Sequence, residues 1–196
     1  MKRTAIIVSA ITLVLSTNML GQQCSQLSTS SSDALVSYLT VTTSSLANAP
    51  CLAFAITQLG NQRYQPAIPV LTKFLDFRWP VGGHQKQRLF VLQHDGSSIY
   101  PAANALGQIG TIALPAVLNA MKSNTTSRES MEVAVSVWMT IYKSQAPVGV
   151  ALLKPQADLA TQRLTKQRLA WAAFIAAENW CSAVDERQCK TAAGIP

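Results

Sequence analysis

The chain has 196 residues, 48% of them apolar and 7% aromatic, with 16 Lys and Arg against nine Asp and Glu, for a formal charge of +7. That length carries one domain with a real core, and a low aromatic fraction with many alanines suits short, closely packed helices. Nine acids, two histidines and the lack of a phosphate-cradling glycine loop speak against paired-carboxylate catalysis and nucleotide binding.

Lys2 and Arg3 precede the apolar run Ala5 to Leu15, a basic region followed by a hydrophobic one, so residues 1–21 read as a signal peptide with cleavage placed near Gly21. The run is shorter than the ~20 residues a membrane-spanning helix needs, so an uncleaved anchor is the lesser alternative. Contact with the membrane is then expected only transiently, during export, and the mature chain is expected to be periplasmic or secreted. Without Lys2 and Arg3 the formal charge of +7 becomes +5. Gln23 directly before Cys24 departs from the small-residue pattern of a lipid-modified cysteine. Residues 22–32 are rich in Ser and Gln, with one Leu and no charge, and read as a flexible tether.

The helical repeat domain is expected over residues 33–190, with a tail at 191–196. Asp33 to Leu46 offers a first helix through Leu35, Leu39 and Leu46, weakened by the β-branched run Thr40 to Thr43. Leu52, Ala55, Ile56 and Leu59 then recur at helical offsets, Gly60 marks a turn, and Ile68-Pro69 leads to the stripe of Leu71 and Leu75. Residues 76–99 lack a helical period: Trp79-Pro80, Gly82-Gly83 and Asp95-Gly96 interrupt regular structure, and an insertion of this length is usually functional or disordered.

Tyr100 to Lys122 holds a whole αα-hairpin. Ala102, Ala105, Leu106 and Ile109 form one apolar stripe, and Leu114, Val117, Leu118 and Met121 form the next. Pro101 and Pro115 suit first helical turns, and Gly110 supplies the positive φ that closes the first helix. Read as a second copy of the unit at Cys51 to Leu75, it sets Gly110 against Gly60 and Leu114-Pro115 against Ile68-Pro69, with a turn four residues shorter. No such pair buries its stripe alone, so neighbouring copies must stack.

The ALGQIG and ALPAVLNAM text of this stretch resembles the HEAT-repeat family, in particular its short HEAT-like variety found in phycobilin lyases. The resemblance implies an all-α, short HEAT-like solenoid of stacked antiparallel helix pairs, commonly used to bind proteins. Its repeating residues pack rather than react, so it says little about activity.

Beyond the hairpin, Thr126 and Glu129 have capping-box spacing ahead of Met131, Ala134, Val135, Trp138 and Tyr142. Pro147 opens another helix that Pro155 is expected to stop or kink, and Ala157 to about Trp180 is the longest helix, fit to cap the stack. Four cysteines in an exported chain imply two disulfides with three possible connectivities. The local pairs Cys24–Cys51 and Cys181–Cys189 are favoured over the others and over buried thiols, and no C-x-x-C spacing marks them as catalytic.

No catalytic constellation emerges. His84 and His94 are the only imidazoles, and their separation of ten positions matches no metal-ligand motif even with Asp76 and Asp95 beside them. The repeated His-Glu pairs of HEAT-like hydroxylases are absent. Ser97 and Ser98 near His94 and Asp95 lack a G-x-S-x-G elbow. Asp185-Glu186 reads as a solvated turn, and Asn124-Thr125-Thr126 as a sequon that matters only in a glycosylating host. The basic cluster Arg163, Lys166 and Arg168 imitates the nucleic-acid face of some HEAT-like glycosylases, and export argues against that use.

The expectation is an exported protein-binding scaffold without catalytic, cofactor or metal residues. Its partner is another protein, met at the concave helix row and through Arg78, Trp79, Arg88 and Phe90 of the insertion, the residue types that dominate interface energetics. Trp79 and Phe90 packed inward are the bland counterpart. The alternatives are an enzyme or small-ligand binder related to HEAT-like lyases, and a structural envelope protein retained by its N-terminus.

Overall fold

The computed structural model describes residues 24, 26–45, 47–79, 99–181 and 185–195, and the regular structure among them is entirely helical. The signal-peptide reading and residues 80–98 of the insertion lie outside the described residues.

Helix α1 (Ser32–Val41) starts on Ser31, whose Oγ accepts from the Ala34 N–H at 3.3 Å. It stops five residues short of the expected end, inside the β-branched run, where rotamer freedom lost against the preceding turn opposes a helix. Leu35 and Leu39 are buried against the rest of the core. Helix α2 (Ala49–Asn61) carries Pro50 in its first turn and buries Leu52, Ala55, Ile56 and Leu59 completely. Helix α3 (Ile68–Leu71) lies between 3₁₀ turns at Gln65–Ala67 and Thr72–Phe74.

Helices α4 (Pro101–Ile109) and α5 (Leu114–Lys122) are the pair expected around Gly110, which adopts φ 85°. Helix α6 spans Arg128–Ile141 and α7 spans Ala146–Asp158. The chain ends in α8 (Arg163–Trp180) and the short α9 (Glu186–Ala193).

Three corners share one device: Gln65–Ala67, Thr111–Ala113 and Lys143–Gln145 are three-residue 3₁₀ turns, and each runs into a helix whose second residue is proline, Pro69, Pro115 or Pro147. Proline there fixes φ for the first turn and forfeits an N–H that has no helical partner. These corners correct the repeat alignment. Gly60 lies inside α2, where a Cβ would come within 2.6 Å of the Ala105 Cα; the positive-φ counterpart of Gly110 is Arg63, at φ 49°. Leu59-Gly60 therefore answers Leu106-Gly107, and the turns differ by one residue rather than four. Gly60 is a close-approach glycine, and Gly110 a turn glycine.

Helix α2 packs on α4, α4 on α6, and α6 on α8, while α1 covers one end of this row and α9 lies against α7 and α8 at the other. Across Gly110 the chain turns through 112°, so α4 and α5 cross obliquely instead of running antiparallel as expected. Among the described residues no single helix is long and apolar enough to cross a membrane.

Two further boundaries differ from expectation. Pro155 does not stop α7, which runs on to Asp158, and both Ala151 and Pro155 lie on its exposed face, where the carbonyl the proline cannot serve is open to solvent. Ala157 and Asp158 thus belong to α7, and the longest helix starts only at Arg163.

Both local disulfides are present, Cys24–Cys51 and Cys181–Cys189, with Cα separations of 5.1 and 6.3 Å. The first fastens the segment read as a tether to α2, and Leu27 of that segment packs against the core. Two such bonds fit an oxidising compartment.

Candidate partner-binding surfaces

Of the four residues proposed for partner contact, Arg78 and Trp79 are described, while Arg88 and Phe90 lie outside the described residues, as do His84 and His94. The Trp79 N–H donates to the Ile99 carbonyl at 2.9 Å, so the two ends of the 80–98 segment are held side by side. Trp79 is half-buried and leans on the core.

Arg78 is half-exposed, but its guanidinium is engaged. Its Nε lies 2.5 Å from Glu129 Oε1, and its Cζ sits 5.6 Å from the centroid of the Tyr100 ring. The Tyr100 hydroxyl donates to the same Glu129 oxygen at 3.0 Å. The hydrogen bond to Glu129 raises the Arg78 pKa above its usual value. Burial, and then the hydrogen bond to Glu129, push the Tyr100 hydroxyl up to about 12.

This claim on Glu129 explains a shifted cap. The structure puts the N-cap of α6 at Ser127, whose Oγ accepts from the Ser130 N–H at 3.0 Å, one residue beyond the expected Thr126. Glu129 points to Arg78 and Tyr100 instead of completing a capping box. Ser127 also donates to Asp76 at 3.2 Å, at the mouth of a polar cleft of about 570 Å³ between the α3 corner, α5 and the start of α6. Among the described residues no three His, Cys, Asp or Glu side chains gather closely enough to hold a metal ion.

The basic cluster on α8 divides. Arg163 and Lys166 face solvent, whereas Arg168 turns inward and donates through Nε to the Met121 carbonyl at 3.0 Å, beside the Thr165 hydroxyl, which donates to the Lys122 carbonyl at 3.3 Å. These two side chains satisfy carbonyls that the end of α5 leaves unpaired. Burial lowers the Arg168 pKa from its usual value.

Arg168 also lines a cavity of about 380 Å³ between α6 and α8, together with Arg128, Met131, Gln167 and Trp171. Arg128 lies with its Cζ 5.2 Å from the Trp171 ring centroid and pairs with buried Glu132 at 2.8 Å. On α8, Phe174 stacks on Trp171 at 5.4 Å between centroids. Sequence reading passed over this groove because Trp171 and Phe174 sit in an apolar block that reads as core. The available signal was Arg168, Trp171 and Phe174 at successive steps of three, which puts a cation and two rings on neighbouring positions of one helix face.

The chain matches no family model, no curated protein and no solved structure.

Proposed function

We propose that the protein is an exported, HEAT-like helical-repeat scaffold that binds another protein, working in the periplasm or outside the cell. The observation that carries this reading is the thrice-repeated corner, a 3₁₀ turn and a proline-started helix, combined with the successive packing of α2, α4, α6 and α8 in one row. Helix pairs stacked in a row build extended surfaces, and such surfaces serve binding more readily than chemistry. The oblique α4–α5 crossing departs from the antiparallel pairing expected of such a solenoid and counts against this reading. Both disulfides support the exported location.

Partner contact falls on the exposed face of the helix row and at the mouth of the 80–98 segment, where Arg78 and Trp79 stand; Arg88 and Phe90 belong to the same proposal. The test is in-cell cross-linking with mass-spectrometric identification, using wild type and a variant in which residues 80–98 are replaced by a short Gly-Ser bridge across the Trp79–Ile99 bond. A specific partner lost or weakened in the variant is expected. A partner held equally by both moves the surface elsewhere, and no partner at all removes the scaffold reading. Fractionation with N-terminal sequencing of the mature chain tests export.

A further inference from the structure

Helix α7 is apolar on two faces, and the core takes only one of them. Ala146, Gly149, Val150, Leu153 and Ala157 are buried, whereas Val148, Ala151, Leu152, Pro155 and Leu159 stand exposed on the opposite side. Positions 148, 152, 155 and 159 follow one another at steps of four, three and four, which aligns them in a single stripe about 16 Å long. A helix apolar all round is normally covered all round. Seven large apolar side chains are exposed among the described residues, and four of them fall between 148 and 164: Val148 at 46%, Leu152 at 43%, Leu159 at 77% and Leu164 at 50%. Scattered singly they would need no explanation; gathered on one helix and the turn after it, they mark a contact surface.

Charge says what the surface meets. Residues 143–166 hold four cations and one acid, and that acid, Asp158, is paired with Lys154 at 2.7 Å. Lys143 stands just before α7, and Arg163 and Lys166 stand just after it, all three exposed. Among the described residues no acid pairs with any of them. The stripe is thus bracketed by unmatched positive charge, and this stretch supplies +3 of the +5 that remains without Lys2 and Arg3.

We propose that the outer face of α7 docks the chain on an anionic lipid surface, with the helix lying along the boundary between headgroups and acyl chains. Its aliphatic side chains enter that boundary, while Lys143, Arg163 and Lys166 lay their apolar stems along it and reach lipid phosphates with their charged ends. A protein segment fits less well, because the stripe has none of the aromatic anchors that dominate protein hot spots. A second copy fits less well still, since two such faces would set +3 against +3. No single described helix can cross a bilayer, so the contact is peripheral, and it outlasts the transient one expected during export. Helix α7 lies outside the row of α2, α4, α6 and α8, which makes the docking independent of the scaffold reading.

Vesicle flotation of the disulfide-bonded chain, purified from the exported fraction, tests this. Vesicles of equal parts phosphatidylcholine and phosphatidylglycerol are expected to retain the chain at about 0.1 M salt and to release it at about 1 M, where the Debye length shrinks to ~3 Å. Phosphatidylcholine alone should retain it about tenfold more weakly or less. Leu152→Gln/Leu159→Gln, both changes on exposed side chains, should weaken anionic-vesicle binding by about tenfold or more with an unchanged melting curve. Arg163→Gln/Lys166→Gln should weaken it by about fivefold for each cation removed. Ile112→Gln, which removes an exposed aliphatic at the α4–α5 corner, should leave it unchanged. Equal retention of the Leu152→Gln/Leu159→Gln variant, equal retention by neutral vesicles, or an equal loss with Ile112→Gln overturns the proposal. So does no retention by any vesicle, and in-cell cross-links from Lys143 or Lys154 to a protein would then assign the face to that protein. Vesicle retention with no cross-linked partner supports the face while the scaffold reading falls.

Discussion

Two glycines and an arginine show how differently single residues hold the same corner. Gly110 has φ 85° and ψ −149°, a region that only glycine occupies at ease, and no atom stands within 4 Å of where its Cβ would be. Gly110→Ala is therefore a pure backbone test, expected to lower stability by about 1–3 kcal/mol in chemical denaturation. Gly60→Ala is expected to lose a similar amount, about 1–3 kcal/mol, for a different reason, since its Cβ would meet the Ala105 backbone and force α2 from α4. Arg63→Gly relieves a left-handed residue but loosens the unfolded chain, so it should leave stability unchanged or raise it by about 0.5 kcal/mol. In the sequence the two glycines look alike, as turn residues after an apolar stripe. Only the packing distance separates a glycine needed for its φ from one needed for its missing side chain.

Tyr100 offers a second residue-scale test, through pH. Its phenol titrates near 10.0 when free and is pushed up to about 12 in the fold by burial and by the bond to Glu129. The folded state therefore keeps a proton that the unfolded state releases. The stabilisation is fully present below pH 10 and disappears as the pH climbs toward 12, a loss on the order of 2 kcal/mol. Denaturation midpoints measured from pH 9 to 12 should fall more steeply for wild type than for Tyr100→Phe. Parallel curves would show that the ring is not held as described.

Elements were legible where one helix turn suffices to define them. Pro101, Gly110 and Pro115 bound α4 and α5 from local chemistry alone, and their stripes face inward at Ala102, Leu106, Val117 and Met121. The start of α6 was misplaced by one residue because its capping pattern is broken from a distance: Arg78 and Tyr100, far away in sequence, draw Glu129 off. Ser127 is left to cap the helix alone, so Ser127→Ala should cost about 1 kcal/mol, whereas Thr126→Ala should stay within about 0.5 kcal/mol. Equal losses would restore Thr126 as the cap. The α6–α8 groove was illegible for a related reason. Partial burial of Trp171 is as compatible with core as with a groove wall, and only the structure, which sets the Arg128 guanidinium over its ring, tells the two apart.

At the scale of the whole molecule, the two disulfides act on opposite ends of a helix row whose ends have little core of their own. Helix α9 has eight residues, too few to persist alone, and Cys189 is its only fully buried side chain. It packs on α7 and α8 and is tied to the end of α8 by the bond to Cys181. Cys24–Cys51 closes a span of 27 residues and ties the N-terminal segment to α2. Each bond is expected to contribute about 2–4 kcal/mol, but to different regions. In hydrogen exchange, Cys181→Ser/Cys189→Ser should expose the amides of α9 and leave α2 protected. Cys24→Ser/Cys51→Ser should reduce protection in α1 and α2 and leave α9 unchanged. A helix row with the two bonds at opposite ends predicts this separation, and the two losses should add in the quadruple variant because the bonds share no partner. If either pair of substitutions instead loosens both ends together, the chain unfolds as one cooperative core, and the stacked-unit basis of the scaffold reading is lost.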